Sequence, residues 1–205
     1  MDQSFWDSRY AHEEYAYGTA PNAFLATQLA PFPKGKLLFP CDGEGRNGVY
    51  AATLGHDVYA FDLSSEGQRK ALQLAEQHGV SMHYQVGDFN AMQYPDEQFD
   101  GIALIYAHFP PNLRFGFHQQ VMRWLKPGGT LWIEGFSEAH TAFQAINPQA
   151  GGPKDPSFLY TTEGLMHDFQ ALNIQQLNAC ETTLHEGPFH VGQAAVVRLV
   201  AVKPL

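Results

Sequence analysis

The chain has 205 residues, 44% hydrophobic and 16% charged, with 12 Lys and Arg against 21 Asp and Glu. A net charge of −9, with the basic residues few and scattered, argues against nucleic-acid or polyanionic partners. Dispersed Gly and Pro and 13% aromatic content exclude a disordered or fibrous chain, and the length suits one core.

The start, Met1-Asp2-Gln3-Ser4-Phe5-Trp6-Asp7, shows neither a basic segment nor an apolar run of a secretory signal. The longest apolar stretches, Ala103 to Ala107 and Ala194 to Val202, are shorter than a membrane span of roughly 20 residues. Cys41 and Cys180 form no CxxC pair, and the ten histidines fall in no HxxxH or HxH grouping. The expectation is a reduced, cytoplasmic protein with no metal and no membrane partner.

Residues 1–30, with Trp6, Tyr10, Tyr15 and Tyr17, read as a helical cover packed on the rest of the chain. Lys36 to Pro40 is a short apolar strand ending in a glycine-rich turn. Asn47 to Leu54 reads as a helix, with Gly55 placed for a left-handed C-terminal cap. Asp57 to Phe61 is a second strand, followed by Asp62. Ser65 with Gln68 predicts a capping box at the start of a helix that Gly79 ends. Further strands are predicted at Ser81–Val86, Phe99–Tyr106 and Thr130–Phe136, with a helix over Asn112–Leu125 between the last two.

Such alternation implies parallel strands joined by crossover helices, a doubly wound α/β sheet. A helix at Thr162–Ala171 precedes two strands, Ile174–Thr183 and Val191–Val202, which predict an antiparallel C-terminal hairpin. Residues 137–160, rich in Pro and Gly, read as an irregular, lid-like insertion or an inert surface loop.

The sharpest local signal is Cys41-Asp42-Gly43-Glu44-Gly45-Arg46-Asn47-Gly48, set between a strand and a helix. Backbone amides at a helix N-terminus can meet a ligand there, and Gly43 and Gly45 remove Cβ atoms from its approach. Asp62, 19 residues after Gly43, is suited to ribose hydroxyls. Gly43-x-Gly45-x-x-Gly48 also spells a dinucleotide fingerprint, which alone is weak. Gly87-Asp88-Phe89 after the third strand offers a carboxylate and an aromatic ring to a purine.

This order of motifs, from Lys36 to Lys203, resembles the class I S-adenosylmethionine-dependent methyltransferases. The resemblance implies a Rossmann-like seven-stranded sheet, mostly parallel, in a single methyltransferase domain over 1–205. It implies S-adenosylmethionine as cofactor, S-adenosylhomocysteine as product and a small-molecule acceptor. The cofactor would meet Tyr17, Gly18, Cys41, Asp42, Gly43, Glu44, Gly45, Asn47, Asp62, Leu63, Asp88 and Phe89.

Trp6-Asp7-x-Arg9-Tyr10, Tyr17-Gly18, Pro21-Asn22-x-Phe24-Leu25, Gly43-Glu-Gly-Arg-Asn47 and Glu186-Gly187-x-x-His190-x-Gly192-x-Ala194 look like the tellurite-resistance and thiopurine methyltransferase branch. That branch implies a soft S, Se or Te nucleophile or a small metabolite. Methyltransferases usually carry an acidic residue where Phe39 stands and a glycine where Cys41 stands, so Asp42 is the candidate replacement carboxylate for the cofactor's ammonium group.

His108, after the fourth strand, is read as a general base for the acceptor or as a hydrogen-bonded loop residue. Phe109, Arg114, Phe143, Phe158 and Tyr160 are candidate acceptor-pocket residues. Glu44 and Arg46 are read as an exposed pair, and His190 as structural. Two other readings stay open: an NAD(P)-dependent oxidoreductase using the same loop, and a cofactor-binding protein without chemistry.

Overall fold

The computed structural model describes residues 2–205. In chain order the elements are α1 (Gln3–Tyr10), α2 (Ala23–Leu29), β1 (Lys36–Pro40), α3 (Arg46–Thr53), β2 (Asp57–Asp62), α4 (Ser65–Gln77) and β3 (His83–Val86). They continue with β4 (Phe99–Ile105), α5 (Pro111–Trp124), β5 (Leu125–Phe136), α6 (His140–Ile146), α7 (Thr162–Asp168), β6 (Asn173–Glu186) and β7 (His190–Val202).

The seven strands form one sheet in the order β3-β2-β1-β4-β5-β7-β6. Strands β1 to β5 pair in parallel, whereas β7 runs antiparallel to both β5 and β6. Both faces are covered, which is why the central strands are nearly continuous apolar runs. Side chains alternate between faces: Leu38, Ile102, Leu104, Leu131 and Ile133 pack beneath α5 and α7. Leu37, Phe39, Ala103 and Trp132 pack beneath α2, α3 and α4. The acidic position of the resembled family is therefore filled here by Phe39, 2% exposed in the second layer.

Several boundaries differ from the sequence expectation. Helix α4 is capped by Ser64, whose side chain accepts from the Gly67 amide, and not by Ser65. Gln68 completes no capping box and donates to the Tyr84 carbonyl instead. The terminal hairpin is longer than predicted, leaving only residues 187–189 between its strands. Residues 137–160 are more ordered than their Pro and Gly content suggests, holding α6 and 3-10 turns at Pro148–Ala150 and Pro156–Phe158. Gly55, at φ +88°, takes the expected left-handed conformation after α3.

Candidate functional site

Strand order reverses between β1 and β4, and open α/β sheets bind ligands beyond the carboxyl ends of strands at such a point. A cavity of about 990 Å³ lies there. Its floor is the β1–α3 loop, the end of β2 and residues 105–110 after β4. Trp6, Arg9, Tyr10 and Tyr17 close it from the N-terminal side, and residues 141–158 from the other. Of the residues singled out from sequence, Tyr17, Gly18, Cys41, Asp42, Gly43, Glu44, Asn47, Asp62, Leu63, Asp88, Phe89 and His108 all line it.

Gly45 does not line it. It is the left-handed N-cap of α3 (φ +83°), and a Cβ there would lie 2.5 Å from the Ala71 Cβ. Its smallness serves the contact between α3 and α4. Gly43 (φ +54°) is the close-approach glycine, with the Tyr10 hydroxyl 2.6 Å from where its Cβ would stand. Cys41 adopts the same left-handed region at φ +58° despite its side chain. Burial pushes its thiol well above the usual value, so it is not a ready nucleophile.

Asp62 holds the turn together. Its Oδ2 accepts from the Gly43 amide at 3.1 Å and its Oδ1 from the Ser64 amide at 3.0 Å. Burial outweighs these bonds and raises its carboxyl to about 6. Each oxygen keeps a second lone pair, and the residue borders the cavity, so these acceptors fit the hydroxyls of a ribose diol. Asp42 accepts from the Gly48 amide at 3.1 Å and so caps α3; burial raises its carboxyl well above the usual range.

Glu44 and Arg46 do not form an exposed pair. Glu44 is buried against Lys70 and accepts from the Ala16 amide at 2.7 Å. Arg46 pairs with Glu186 at 2.9 Å. Asn47 Oδ1 accepts from the Asn22 amide. These three residues fasten the N-terminal segment and the hairpin tip to the loop. Asp88 is exposed and accepts from the Ala91 amide, a bond that closes the turn after β3. Phe89 stacks on Phe117 and Trp124.

His108 departs from the role of general base. Its Nδ1 meets the Phe158 carbonyl at 2.9 Å, and its Nε2 accepts from the Phe136 amide at 3.1 Å. Burial lowers its titration to about 3. A neutral ring with both nitrogens engaged ties the lid to β5 and has no lone pair free for a proton. Among the acceptor-pocket candidates, Phe109 and Phe158 line the cavity, whereas Arg114, Phe143 and Tyr160 do not. Arg114 anchors the lid through the Ser157 carbonyl at 2.6 Å, and Tyr160 is buried beneath it.

Sequence reading missed a buried polar cluster against the cavity wall. Glu134, 2% exposed at the end of β5, accepts from Asn22, Tyr106 and Arg198. Glu186 accepts from Arg46 and Asn22 and pairs with His190. Arg9, Tyr106 and His190 face the cavity. The signal was present in Trp6-Asp7-x-Arg9-Tyr10 and in Glu186-x-x-x-His190, but their meeting place is set by the fold. Among the described residues, no group of three His, Cys, Asp or Glu side chains is arranged to hold a metal ion.

Residues 40–129 match the family model described as a methyltransferase domain. Curated relatives from Mycobacterium bovis and Mycobacterium tuberculosis, both named as uncharacterized proteins, are 26% identical over 173 residues, 79% of this chain. The chain spans 61% of the length of these relatives. Among solved structures, one from work on converting a disulfide bond into a thioacetal group during echinomycin biosynthesis matches with a TM-score of 0.79. It is 18% identical, with 98% of this chain and 92% of that one covered.

TehB from Haemophilus influenzae matches at 0.71, 17% identical, covering 98% of this chain and 66% of that one. Magnesium protoporphyrin IX methyltransferase from Synechocystis PCC 6803, with bound S-adenosylhomocysteine, matches at 0.65, 15% identical, covering 98% and 83%. Residues 40–129 thus match a methyltransferase domain in sequence, and the fold along the sheet is shared with solved structures named as methyltransferases.

Proposed function

We propose that the chain transfers a methyl group from S-adenosylmethionine to a small-molecule acceptor within this cavity. The observation that carries the reading is the cavity itself, placed at the switch point of a sheet whose last strand pairs antiparallel beside β5. A dinucleotide oxidoreductase would continue into a second parallel half, which this sheet does not have. When bound, the cofactor supplies a methyl group already activated on a sulfonium.

Asp62 would hold the ribose, the Gly43 backbone the methionine end, and Asp88 with Phe89 the adenine edge. Arg9 faces the cavity with one side-chain hydrogen bond, to the Tyr17 hydroxyl at 3.4 Å, so its remaining donors suit the cofactor's carboxylate. Tyr10, Tyr17 and Trp6 exclude water and offer aromatic faces to a cation.

The acceptor side is lined by Phe109, Phe136, Pro148, Pro153, Pro156 and Phe158, which favours a small, largely apolar molecule. A sulfur, selenium or tellurium acceptor needs least help in losing a proton, and the structural neighbour from thioacetal formation is consistent with sulfur chemistry. Residues 1–205 act as one domain in this account, in the reduced cytoplasm suggested by two free cysteines.

The test is release of S-adenosylhomocysteine from S-adenosylmethionine by the purified chain, offered a panel of small thiols, phenols and amines. Turnover dependent on one acceptor class supports the reading. Tight cofactor binding without turnover on any member would favour a binding protein that retains the fold.

A further inference from the structure

His190 begins β7 and lines the cavity while being only 4% exposed. Its Nδ1 lies 3.0 Å from Glu186 Oε2, across the closing register of the hairpin. Glu186 also receives Arg46 Nη2 at 2.9 Å and Asn22 Nδ2 at 3.3 Å. Against the opposing effect of burial, the His190 hydrogen bond and the Arg46 charge and hydrogen bond hold its carboxyl at about 2, so it is ionised and can only accept. The neutral imidazole must therefore carry its proton on Nδ1, leaving a lone pair on Nε2.

That Nε2 has no hydrogen-bond partner among the described residues and is not one of the sealed, unpaired atoms of the interior. His190 and Gly151 both line the cavity, and Nε2 stands beside Gly151, 3.1 Å from where a Cβ on that glycine would lie. The neighbouring histidines differ. His108 spends both nitrogens on Phe158 and Phe136 backbone, and His140 spends both on Gly151 and Ala195 backbone. The His190 ring is held by Tyr17, Tyr106 and Phe136 at centroid distances of 4.4, 4.6 and 5.2 Å. A carboxylate that fixes one nitrogen while the other is left unpaired at the cavity wall is the arrangement of an oriented base.

We propose that His190, oriented by Glu186, is the general base that takes the acceptor's proton, extending the acceptors to neutral, largely apolar molecules bearing an O–H or N–H. This rests on the reading of the cavity as a methyl-transfer site. As the acceptor atom attacks, its bond to the methyl carbon forms and the carbon–sulfur bond breaks, the electron pair staying on sulfur. The acceptor's proton passes to His190 Nε2, giving an imidazolium paired with the Glu186 carboxylate, and later leaves to solvent.

Charged and titratable groups around the ring act in both directions. Burial, Arg46 from α3 and Arg9 from α1 lower its proton affinity, while Glu186 from β6 raises it. Tyr17, Tyr106, His108 and His140 complete the surroundings. The balance lowers its titration below the ordinary histidine value, so the ring is unprotonated near neutral pH and ready to accept.

The deciding measurement is long-range proton–nitrogen NMR of the full chain labelled with ¹⁵N-histidine, with S-adenosylhomocysteine added, His190 being assigned by its loss in His190→Gln. The expected result at about pH 7.5 is a protonated Nδ1 and an unprotonated Nε2, with Glu186→Gln shifting the proton between them. A proton fixed on Nε2, or an imidazolium persisting at that pH, overturns the proposal.

Turnover of catechol and of thiophenolate is compared in His190→Gln. Loss of about a hundredfold or more on catechol, with about threefold or less on the ionised thiol, supports it. Equal loss on both, or none on either, overturns it. Calorimetry on the same samples separates the two levels: wild type that binds no S-adenosylhomocysteine overturns the methyl-transfer reading, whatever the tautomer.

Discussion

The proposed ribose role of Asp62 would couple the fold to cofactor binding through a titration. Asp62 is 7% exposed, and burial moves its carboxyl from an ordinary 3.8 to about 6. Because the folded value is above the unfolded one, the folded chain binds the proton more tightly. Stability is therefore highest below about pH 4 and falls as pH rises to about 6. At about 1.4 kcal/mol per pH unit, that window costs about 3 kcal/mol. A ribose donating its hydroxyls would favour the charged carboxylate and recover part of the cost.

Binding of S-adenosylhomocysteine should then release a proton near pH 5.5 and tighten from about pH 5 to about pH 7. The gain is about tenfold for each pH unit by which binding lowers the carboxyl's titration. Asp62→Asn should bind about ten- to a hundredfold more weakly at about pH 7, from the loss of hydrogen bonds to a charged group at about 1.5–3 kcal/mol. It should also lose the pH slope. Calorimetry in two buffers of different ionisation heat reads affinity and proton release together. Wild-type affinity flat across this range, or an unchanged slope in Asp62→Asn, would refute the ribose assignment.

The contacts also set the outcome of three substitutions. Lys70→Met strands Glu44, since both side chains are only 3% exposed, and frees the His12 and Glu14 carbonyls. It should cost about 3–5 kcal/mol and lower Tm by about 6–20 °C in a thermal scan followed by circular dichroism. Gly45→Ala puts a Cβ 2.5 Å from Ala71 at φ +83°, so the urea midpoint should fall by the equivalent of about 1–3 kcal/mol. His108→Ala should lower that midpoint by a comparable amount through two lost backbone hydrogen bonds, while the ratio of thiol to phenol turnover stays as in wild type. A changed ratio would restore His108 to the proton path.

Local chemistry explains which features the sequence made legible. The first strand, Lys36–Pro40, has the bounds its apolar run suggests, and Gly55 and Gly79 take the left-handed conformations that end helices. The terminal hairpin was readable because a Gly-Pro turn precedes a valine-rich run, Val191–Val202, and follows a second segment long enough to pair with it. Its full length was not, because the polar outer face of β6 carries little apolar signal.

Helix α6 was hidden by the prolines and glycines after it, although its own residues, His140–Ile146, include good helix formers. The cavity-lining residues of the glycine loop were legible as a loop, but their partners were not. Glu44 meets Lys70, and Arg46 meets Glu186, 140 residues away in sequence, so no local pattern could announce either pair. The same holds for His108 and His190. Position at a strand end left His108 as either a base or a hydrogen-bonded loop residue, and hydrogen-bond occupancy, visible only in the fold, fits the second.

The most direct test of the central claim is titration calorimetry of the purified chain with S-adenosylhomocysteine beside NAD, checked by thermal shift. Saturable binding of S-adenosylhomocysteine at one site per chain is expected, with Tm raised as a ligand of the folded state requires, about 2.7 kcal/mol at a hundredfold excess over Kd. NAD should give no heat and no shift. Binding of NAD alone, or silence from S-adenosylhomocysteine at millimolar concentration, would contradict the account.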